Sequence, residues 1–289
     1  METENNNSPF AIFILTHGRP KSVHTLAALK KAGYTGKVVL VLDNEDKSEP
    51  EYRSIHPLEH IVVFDKEEIS KTFDSFDNFK EKRAIIYARN ASFNIAKELG
   101  IKYFMQMDDD YTGFYYKLYL SGKAINAQVK NMDKVLSLML NYYKSIPAKS
   151  IAFAQGGDFI GGIDNGKELF RFSKRKAMNS FLCSTERPFN FIGKINEDVN
   201  TYTSYQSKGN LFLTIKNIAL IQKQTQKTKG GMTDIYVNNG TYIKSFYSVI
   251  CSPNCVSIKL MSSAHKRLHH SIDWNSAVPL IIDERYKKQ

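Results

Sequence analysis

The sequence predicts an α/β protein with a mostly parallel sheet flanked by helices, and three observations predict it. Apolar runs of strand length recur through the first 110 residues, and segments with helical spacing separate them. Three of these runs end in polar or acidic residues. Parallel strands are buried on both faces and are joined by helices, which is why they read as continuous apolar runs. Such sheets bind ligands beyond the carboxyl ends of their strands, so the polar ends mark a predicted ligand edge.

The elements follow in order. In the first half they are a strand at 10–16, a helix at 21–33, strands at 37–43 and 60–65, a helix at 82–100 and a strand at 102–108. Gly33 and Gly100 supply the stop signals of the two helices. The second half reads as a strand at 150–154, a helix from Glu197, a strand at 211–222 and a helix from Thr233.

Length and composition set the class of protein. With 289 residues and 42% apolar residues, the chain can form a globular domain with a substantial core. Residues 1–8 are polar and rich in asparagine, and we expect a disordered tail there. No apolar run of about 18 residues and no signal-peptide pattern is present, which predicts a soluble intracellular protein without a membrane partner. The three cysteines predict reduced thiols rather than a metal cage.

Three consecutive aspartates, Asp108, Asp109 and Asp110, end the fourth predicted strand. Aspartate is common in solvated turns and at helix N-caps, which would explain one such residue. Three in succession repel one another and are easier to hold together when a cation neutralises them. The expected ion is Mg²⁺ or Mn²⁺, bound by one or two carboxylates and completed by phosphate oxygens. Such an ion suits a reaction in which a diphosphate leaves.

The loop after the first strand, "THGRP" at 16–20, contains a single glycine. Nucleotide triphosphatases, dehydrogenases and sugar nucleotidyltransferases are expected to have a glycine-rich loop there. The sequence therefore favours a protein that grips a nucleoside diphosphate through the first two strand ends and through a metal at the fourth.

The charge balance favours a polyanionic partner. Forty Lys and Arg against 29 Asp and Glu give a formal net charge of +11, and the pI is about 9.3. Basic residues cluster at 171–178, 227–229 and 265–270, where DNA phosphates are the expected contact. Charges that protect an exposed strand edge are the alternative for the first cluster.

Several segments together resemble a known enzyme class. "ILTHGRP", "VLVLDNED", "YARNASFNIAKELGIKYFMQMDDD" and "INEDVNTY" occur in the order of the metal-dependent GT-A glycosyltransferases. "THGRP", "ARN", "DDD", "NEDV", "GGMTDIY" and "HHSIDWNSAVPLIIDERY" resemble the TET-associated glycosyltransferases of bacteriophages, which are implicated in adding sugars to hydroxymethylated pyrimidines in DNA. The resemblance implies a GT-A domain at 9–289 with a C-terminal helical extension on the acceptor side. Its nucleotide-sugar half is 9–115, and its acceptor half is 116–289 with a lid near 222–233.

The resemblance also implies roles for individual residues on the donor side. Thr16, Arg19 and Asp43 would line the nucleoside pocket, with a helix-start turn or a solvated loop as the alternatives. Arg89 would approach the diphosphate or ribose, and Lys229 would bring charge from the lid to a phosphate. The remaining implied roles are Asp108 on the ribose and the metal, Asp110 on the metal, and His269 as a third metal ligand or an acceptor-side residue.

Glu197 and Asp198 form the second acidic pair. If the enzyme inverts the anomeric centre, one carboxylate must take the proton of the acceptor hydroxyl. The resemblance nominates Asp198 as this base, with Glu197 beside it. An acidic pair that favours the helix dipole is the alternative, and a retaining enzyme would need no such base.

The predicted function is a metal-dependent transfer of a sugar from a nucleotide diphosphate, with UDP-sugar as the expected donor. The expected acceptor is the hydroxyl of 5-hydroxymethylcytosine in phage DNA, and the expected location is the cytoplasm of the host cell. Three alternatives stay open: a transferase acting on protein or polysaccharide, a non-catalytic nucleic-acid-binding protein, and a two-metal nuclease. The sequence leaves the oligomeric state open.

Overall fold

The computed structural model describes residues 10–77, 85–121, 123–159, 174–222, 233–261 and 267–279. Lys229, the predicted tail and nearly all of the predicted lid lie outside these residues. Within them, the helices are α1 (His24–Lys31), α2 (Glu49–Ile55), α3 (Lys66–Ser70), α4 (Ile86–Glu98), α5 (Met132–Ser145), α6 (Glu197–Gln206), α7 (Thr233–Cys251) and α8 (Trp274–Ala277). The strands are β1 (Phe10–Leu15), β2 (Lys37–Asp43), β3 (His60–Phe64), β4 (Tyr103–Asp108), β5 (Tyr111–Leu120), β6 (Lys123–Gln128), β7 (Ala148–Ala154), β8 (Phe181–Ser184), β9 (Leu211–Gln222), β10 (Val256–Met261) and β11 (Arg267–Ile272).

The described strands form one large sheet of nine and one small sheet of two. The large sheet has the order β3-β2-β1-β4-β8-β7-β9-β5-β6. The strands β1 to β4 pair in parallel, as do β7 and β9, whereas β8, β5 and β6 pair with their neighbours in antiparallel fashion. The predicted α/β class with a large helix-flanked sheet is confirmed. The sheet is parallel from β1 to β4 and mixed as a whole.

Alternation along β1 shows how the sheet is covered on both faces. Ile12 and Ile14 pack into a core that contains residues of α1 and α5. Ala11, Phe13 and Leu15 pack into the opposite core, to which α4 and α6 contribute. All five side chains are at most 2% exposed. Burial on both faces explains why β1 reads as an unbroken apolar run.

The C-terminal elements form a smaller unit beside α6. Strands β10 and β11 pair in antiparallel fashion, and Ser245 of α7 donates a hydrogen bond to the carbonyl of Leu268 (2.9 Å). Trp274 stacks on Tyr202 of α6 with ring centroids 5.8 Å apart. This unit is therefore packed against the helix that begins with the second acidic pair. Among the described helices, none is long and apolar enough to cross a membrane.

The core around β4 generates a stability prediction. Phe104 is fully buried, with Phe13 stacked on it at 5.0 Å and Phe93 edge-on at 5.2 Å. We expect Phe104→Ala to lower the free energy of unfolding by about 3–5 kcal/mol, because it removes contacts and leaves a cavity. Urea denaturation measures the change. Leu58→Ala is the control, since Leu58 is 93% exposed and its loss should cost less than about 0.5 kcal/mol.

Candidate active site

The carboxyl ends of β1, β2 and β4 meet at one edge of the sheet. Leu15, the last residue of β1, pairs with Asp108 on one side and with Val41 on the other. Because β2 and β4 lie on opposite sides of β1, this is the point at which open α/β sheets form a ligand-binding crevice. The residues that follow these three strands form the candidate site.

The loops after β1 and β2 are tied together by hydrogen bonds. Thr16 Oγ1 donates to Asp109 Oδ2 (2.7 Å) and lies 2.7 Å from the hydroxyl of Tyr52, which in turn accepts from Arg19 N (2.9 Å). Asp46 accepts from Gly18 N, which has a left-handed φ of 66°. Thr16 is 7% exposed. Its hydroxyl therefore braces the loop that was expected to line the nucleoside pocket.

Asp43 is engaged by two basic side chains. His17 Nδ1 lies 2.7 Å from Asp43 Oδ2, and Lys66 Nζ lies 2.8 Å from Oδ1. Burial by itself would raise the pKa of Asp43, but the hydrogen bonds from His17 and Lys66 outweigh it and lower the pKa to about 2. The same bond to Asp43 raises the pKa of His17. A contact between Asp43 and a base or ribose stays a prediction. It would have to use lone pairs of the Asp43 carboxylate that His17 and Lys66 leave free.

Thr25 at the start of α1 braces the aspartate turn. Its hydroxyl donates to the carbonyl of Asp108 (2.6 Å) and accepts from Tyr111 N (3.0 Å). Its backbone N–H donates to the carbonyl of Asp109 (3.1 Å). Arg19 NH1 lies 3.4 Å from Asp109 Oδ1. With Thr16 on its other oxygen, Asp109 is a structural member of the triplet.

Arg89 lies between the two acidic pairs. Its NH2 group donates to Asp108 Oδ1 (2.9 Å), and its Nε donates to Glu197 Oε1 (3.1 Å). The guanidinium is packed over the rings of Phe181 and Phe191 and is 1% exposed. Arg89 thus pairs with both acidic groups, and its approach to the diphosphate or ribose stays a prediction. It holds Asp108 and Glu197 in position.

In contrast to Asp43, the three aspartates after β4 and Glu197 have raised pKa values. Burial, reinforced by Asp110, Glu197 and Asp109, raises the pKa of Asp108 to about 8, although Arg89 opposes the shift. Burial also raises the pKa values of Asp109 and Asp110, and burial together with Asp198 raises that of Glu197. Carboxyl groups in this state gain from a nearby cation.

Asp110 meets the requirements of a cation ligand. Its Oδ2 accepts from Gln222 Nε2 (3.1 Å), and its Oδ1 is buried without a hydrogen-bond partner. Gln222 in turn accepts from Asn179 Nδ2 (2.7 Å). A hard divalent ion takes carboxylate oxygens and is often held by one or two of them. The residues present therefore fit the predicted ion, and Asp108 and Asp110 as its ligands stay a prediction.

His269 does not join this pair. Within the described residues, no group of three or more His, Cys, Asp or Glu side chains is arranged to hold a metal. His269 instead lies on β11, opposite Lys259 of β10, in the C-terminal unit. The expected ligand set of Asp108, Asp110 and His269 is thus wrong, because the topology places β11 against α7 rather than at the carboxyl end of β4. The acceptor-side role stays a prediction.

Asp198 lies in the first turn of α6. It is 6% exposed, and its Oδ1 accepts from the N–H of Val199 (2.8 Å). Asn196 precedes the helix with a φ of 54°, and its side chain donates to the carbonyl of Lys244 (2.6 Å) and to Ser248 Oγ (3.0 Å). Both bonds reach α7, so the C-terminal unit fixes the backbone at the start of α6. The role of Asp198 as the base stays a prediction.

Sequence reasoning missed His17, Thr25, Tyr52 and Lys66. His17 stands inside the "THGRP" loop that was singled out, so its neighbours pointed to it. Lys66 and Tyr52 lie 23 and 36 residues away from the groups that they contact, Asp43 and Thr16. No local pattern marks such partners.

The Asp43 cluster generates a pH prediction. The folded-state pKa lies below the ordinary 3.8 at about 2, so the carboxylate stabilises the fold above pH 3.8 and this contribution is lost as the pH falls toward 2. We expect Asp43→Asn to lower the free energy of unfolding by about 2 kcal/mol near pH 6, and by progressively less below pH 4. Denaturation from pH 2 to 6 tests this, with exposed Glu98→Gln as the control. A cost that is the same at every pH would contradict it.

Comparison with solved structures finds glucosyl-3-phosphoglycerate synthase from Mycobacterium tuberculosis. The form with Mn²⁺, UDP and phosphoglyceric acid is 7% identical, with a TM-score of 0.46 over 95% of this chain and 89% of that chain. The form with Mg²⁺ and UDP is 7% identical, with a TM-score of 0.45 over 92% and 88%. The form with Mn²⁺, UDP-glucose and glycerol 3-phosphate is 6% identical, with a TM-score of 0.46 over 95% and 89%.

No curated protein sequence matches the chain. The family model for TET-associated glycosyltransferases matches residues 10–231. That span includes the aspartate turn, Arg89 and the second acidic pair, and it covers more than half of the chain. The chain belongs to the TET-associated glycosyltransferase family.

Proposed function

We propose that the protein moves a sugar from a UDP-sugar to a hydroxyl group of 5-hydroxymethylcytosine in DNA. The observation that supports this most directly is the Arg89 bridge, which joins Asp108 at the donor edge to Glu197 at the start of α6. The bridge brings the first turn of α6, where Asp198 follows Glu197, next to the carboxylate at the donor edge. In this proposal residues 9–115 bind the donor, and residues 116–289 bind the acceptor.

Asp108 and Asp110 would hold Mn²⁺ or Mg²⁺. When bound, the ion would supply charge stabilisation to the departing diphosphate. Arg19 is 37% exposed at the mouth of the same crevice, and its guanidinium can approach a phosphate. His17, half exposed beside Asp43, is a second cation at this edge when it is protonated. Lys229 stays a proposed phosphate contact.

Asp198 is the proposed general base. In an inverting transfer the acceptor oxygen forms a bond to the anomeric carbon while the bond from that carbon to the diphosphate oxygen breaks. The hydroxyl proton passes to the Asp198 carboxylate, and the electron pair of the broken bond leaves on the diphosphate. Glu197 is held by Arg89 and has a raised pKa, so its part is to orient the first turn of α6 and set the charge beside Asp198.

The DNA acceptor is supported by the family and by charge. The family description associates these glycosyltransferases with TET, and the formal net charge of +11 attracts polyanions. If the protein is encoded by a phage, the reaction takes place in the host cytoplasm. A transferase that acts on protein or polysaccharide would share the donor site, so the acceptor must be tested separately.

The first test measures release of the nucleoside diphosphate from a panel of UDP-sugars with Mn²⁺, with hydroxymethylcytosine DNA and unmodified DNA side by side. We expect release that depends on the hydroxymethyl group and that falls at least about 100-fold in Asp110→Ala, since a charged group at the departing diphosphate is lost. Glu98→Gln is the matched acidic control and should act as wild type. Slow donor hydrolysis with equal rates on both DNAs would retain the transferase and remove DNA as the acceptor.

The second test separates the two acidic residues of α6. We expect Asp198→Asn to lower kcat for transfer by about 10²–10⁴, because the proton acceptor is lost, with little change in the KM for the donor. Glu197→Gln should lose less and should be accompanied by lower thermal stability, since Arg89 loses a charged partner. Steady-state kinetics and product anomer analysis by NMR measure both. Wild-type kcat in Asp198→Asn, or a retained anomer, would contradict the assignment.

A further inference from the structure

A second cavity lies outside the donor crevice, in the C-terminal unit. It is open to the surface and has a volume of about 420 Å³ between β10, β11 and the chain at Lys176. Lys176, Lys259, His269, His270 and Trp274 are among its lining residues, and none of the lining residues is acidic. A cavity lined by cationic and imidazole groups without carboxylates is complementary to an anion.

His270 has the arrangement of a binding residue without its ligand. The side chain is 7% exposed, and both of its ring nitrogens are buried without a hydrogen-bond partner. A buried polar atom without a partner costs about 1–3 kcal/mol. Two such atoms on one ring are rarely kept in a core that gains nothing from them. A ligand oxygen that accepts a hydrogen bond from the ring would remove part of this cost.

The lysines around His270 supply the positive field. Within the residues that the structure describes, the ammonium groups of Lys176 and Lys259 form no ion pair with a carboxylate. Burial lowers the pKa of Lys176, with Asp198 and Asp158 opposing. Burial, Lys176, His269 and Lys244 together lower the pKa of His270 to about 3. The ring is therefore neutral near pH 7 and offers one N–H donor among cations.

The cavity is connected to the proposed base. Trp274 stacks on Tyr202, which follows Asp198 by one turn of α6. The charge of Asp198 acts on Lys176, and that of Lys176 acts on His270. The cavity and Asp198 are thus linked through Lys176 and through Tyr202. An acceptor polymer that presents a hydroxyl to Asp198 would extend from there toward the cavity.

We propose that this cavity binds a backbone phosphate of the acceptor DNA, with His270 donating a hydrogen bond and Lys176 and Lys259 neutralising its charge. The inference rests on the proposed DNA acceptor. It assigns a positioning role to the site: the bound phosphate fixes the register of the strand, so that the modified base reaches Asp198. Phosphate contacts of this kind position a protein on DNA without reading its sequence.

The test measures affinity for hydroxymethylcytosine duplex DNA against salt concentration, together with thermal stability without DNA. Lys259→Gln should lower the slope of log K against log salt by about 0.9, the value for one phosphate contact. Exposed Lys97→Gln is the matched control and should leave the slope unchanged. His270→Phe should weaken DNA binding about 3- to 10-fold at moderate salt, yet it should unfold at the wild-type temperature or above, because it replaces unpaired buried nitrogens.

The outcomes separate this inference from the proposed function. Wild-type transfer to DNA with unchanged binding in both Lys259→Gln and His270→Phe would overturn the phosphate site and leave the function in place. A wild-type protein that neither binds nor modifies DNA would overturn both. Titration with inorganic phosphate, followed by the imidazole NMR resonances of His270, identifies a third case. Phosphate binding by a protein that does not bind DNA would assign the cavity to a small phosphorylated molecule and overturn the DNA source.

Discussion

The candidate active site depends on one buried cation, Arg89, which pairs with two of the site's carboxylates. Arg89 is almost fully buried and pairs with Asp108 at the end of β4 and with Glu197 at the start of α6. Asp109, Asp110 and Asp198 follow these two acidic residues in the chain. Removing charges from water costs several kcal/mol per ion unless they are paired. Neighbouring residues fix the position of Arg89. Its guanidinium packs over the rings of Phe181 and Phe191, and its backbone carbonyl accepts a hydrogen bond from Gln106 of β4 (2.8 Å).

The same cation joins parts of the chain that are distant in sequence. Arg89 and Asp108 belong to the first half, whereas Glu197 lies 108 residues after Arg89. Because the guanidinium is planar and rigid, it sets the spacing of the two carboxylates as well as their charge. One guanidinium does not neutralise all of the neighbouring carboxylates, and the pKa of Asp108 stays raised for this reason as well as by burial. A divalent ion at Asp108 and Asp110 would complete the neutralisation that Arg89 begins.

The sequence predicted elements and reactive groups better than it predicted partners. The strand at 37–43 was read correctly because a buried parallel strand is a continuous apolar run. The strand at 211–222 was also read correctly, although Thr214, Lys216 and Asn217 interrupt its apolar residues. The edge strand β6, "KAINAQ", has no such run, since almost all of it is exposed. The aspartates of the site were recognisable because three adjacent like charges repel one another unless a cation neutralises them. Lys66 and Thr25 were not, because only the folded topology brings them to Asp43 and to the aspartate turn.

Expectation and structure diverge most at the histidines. His269 was nominated by resemblance to enzymes with a late metal ligand, but β11 belongs to a separate two-stranded sheet. Its neighbour His270 has the more informative surroundings, and no sequence pattern distinguishes the two. Only burial and the missing partners of both ring nitrogens do so.

Asp46 gives the donor edge a further property. One carboxylate oxygen accepts from Gly18 N and the other from Ser48 N, each at 2.8 Å, so a single side chain stitches the loop after β1 to the loop after β2. The conformational entropy of both loops is therefore lost during folding rather than at encounter with a nucleotide. A ligand that binds between these loops does not have to order them, so less of the binding free energy is lost and the affinity is higher.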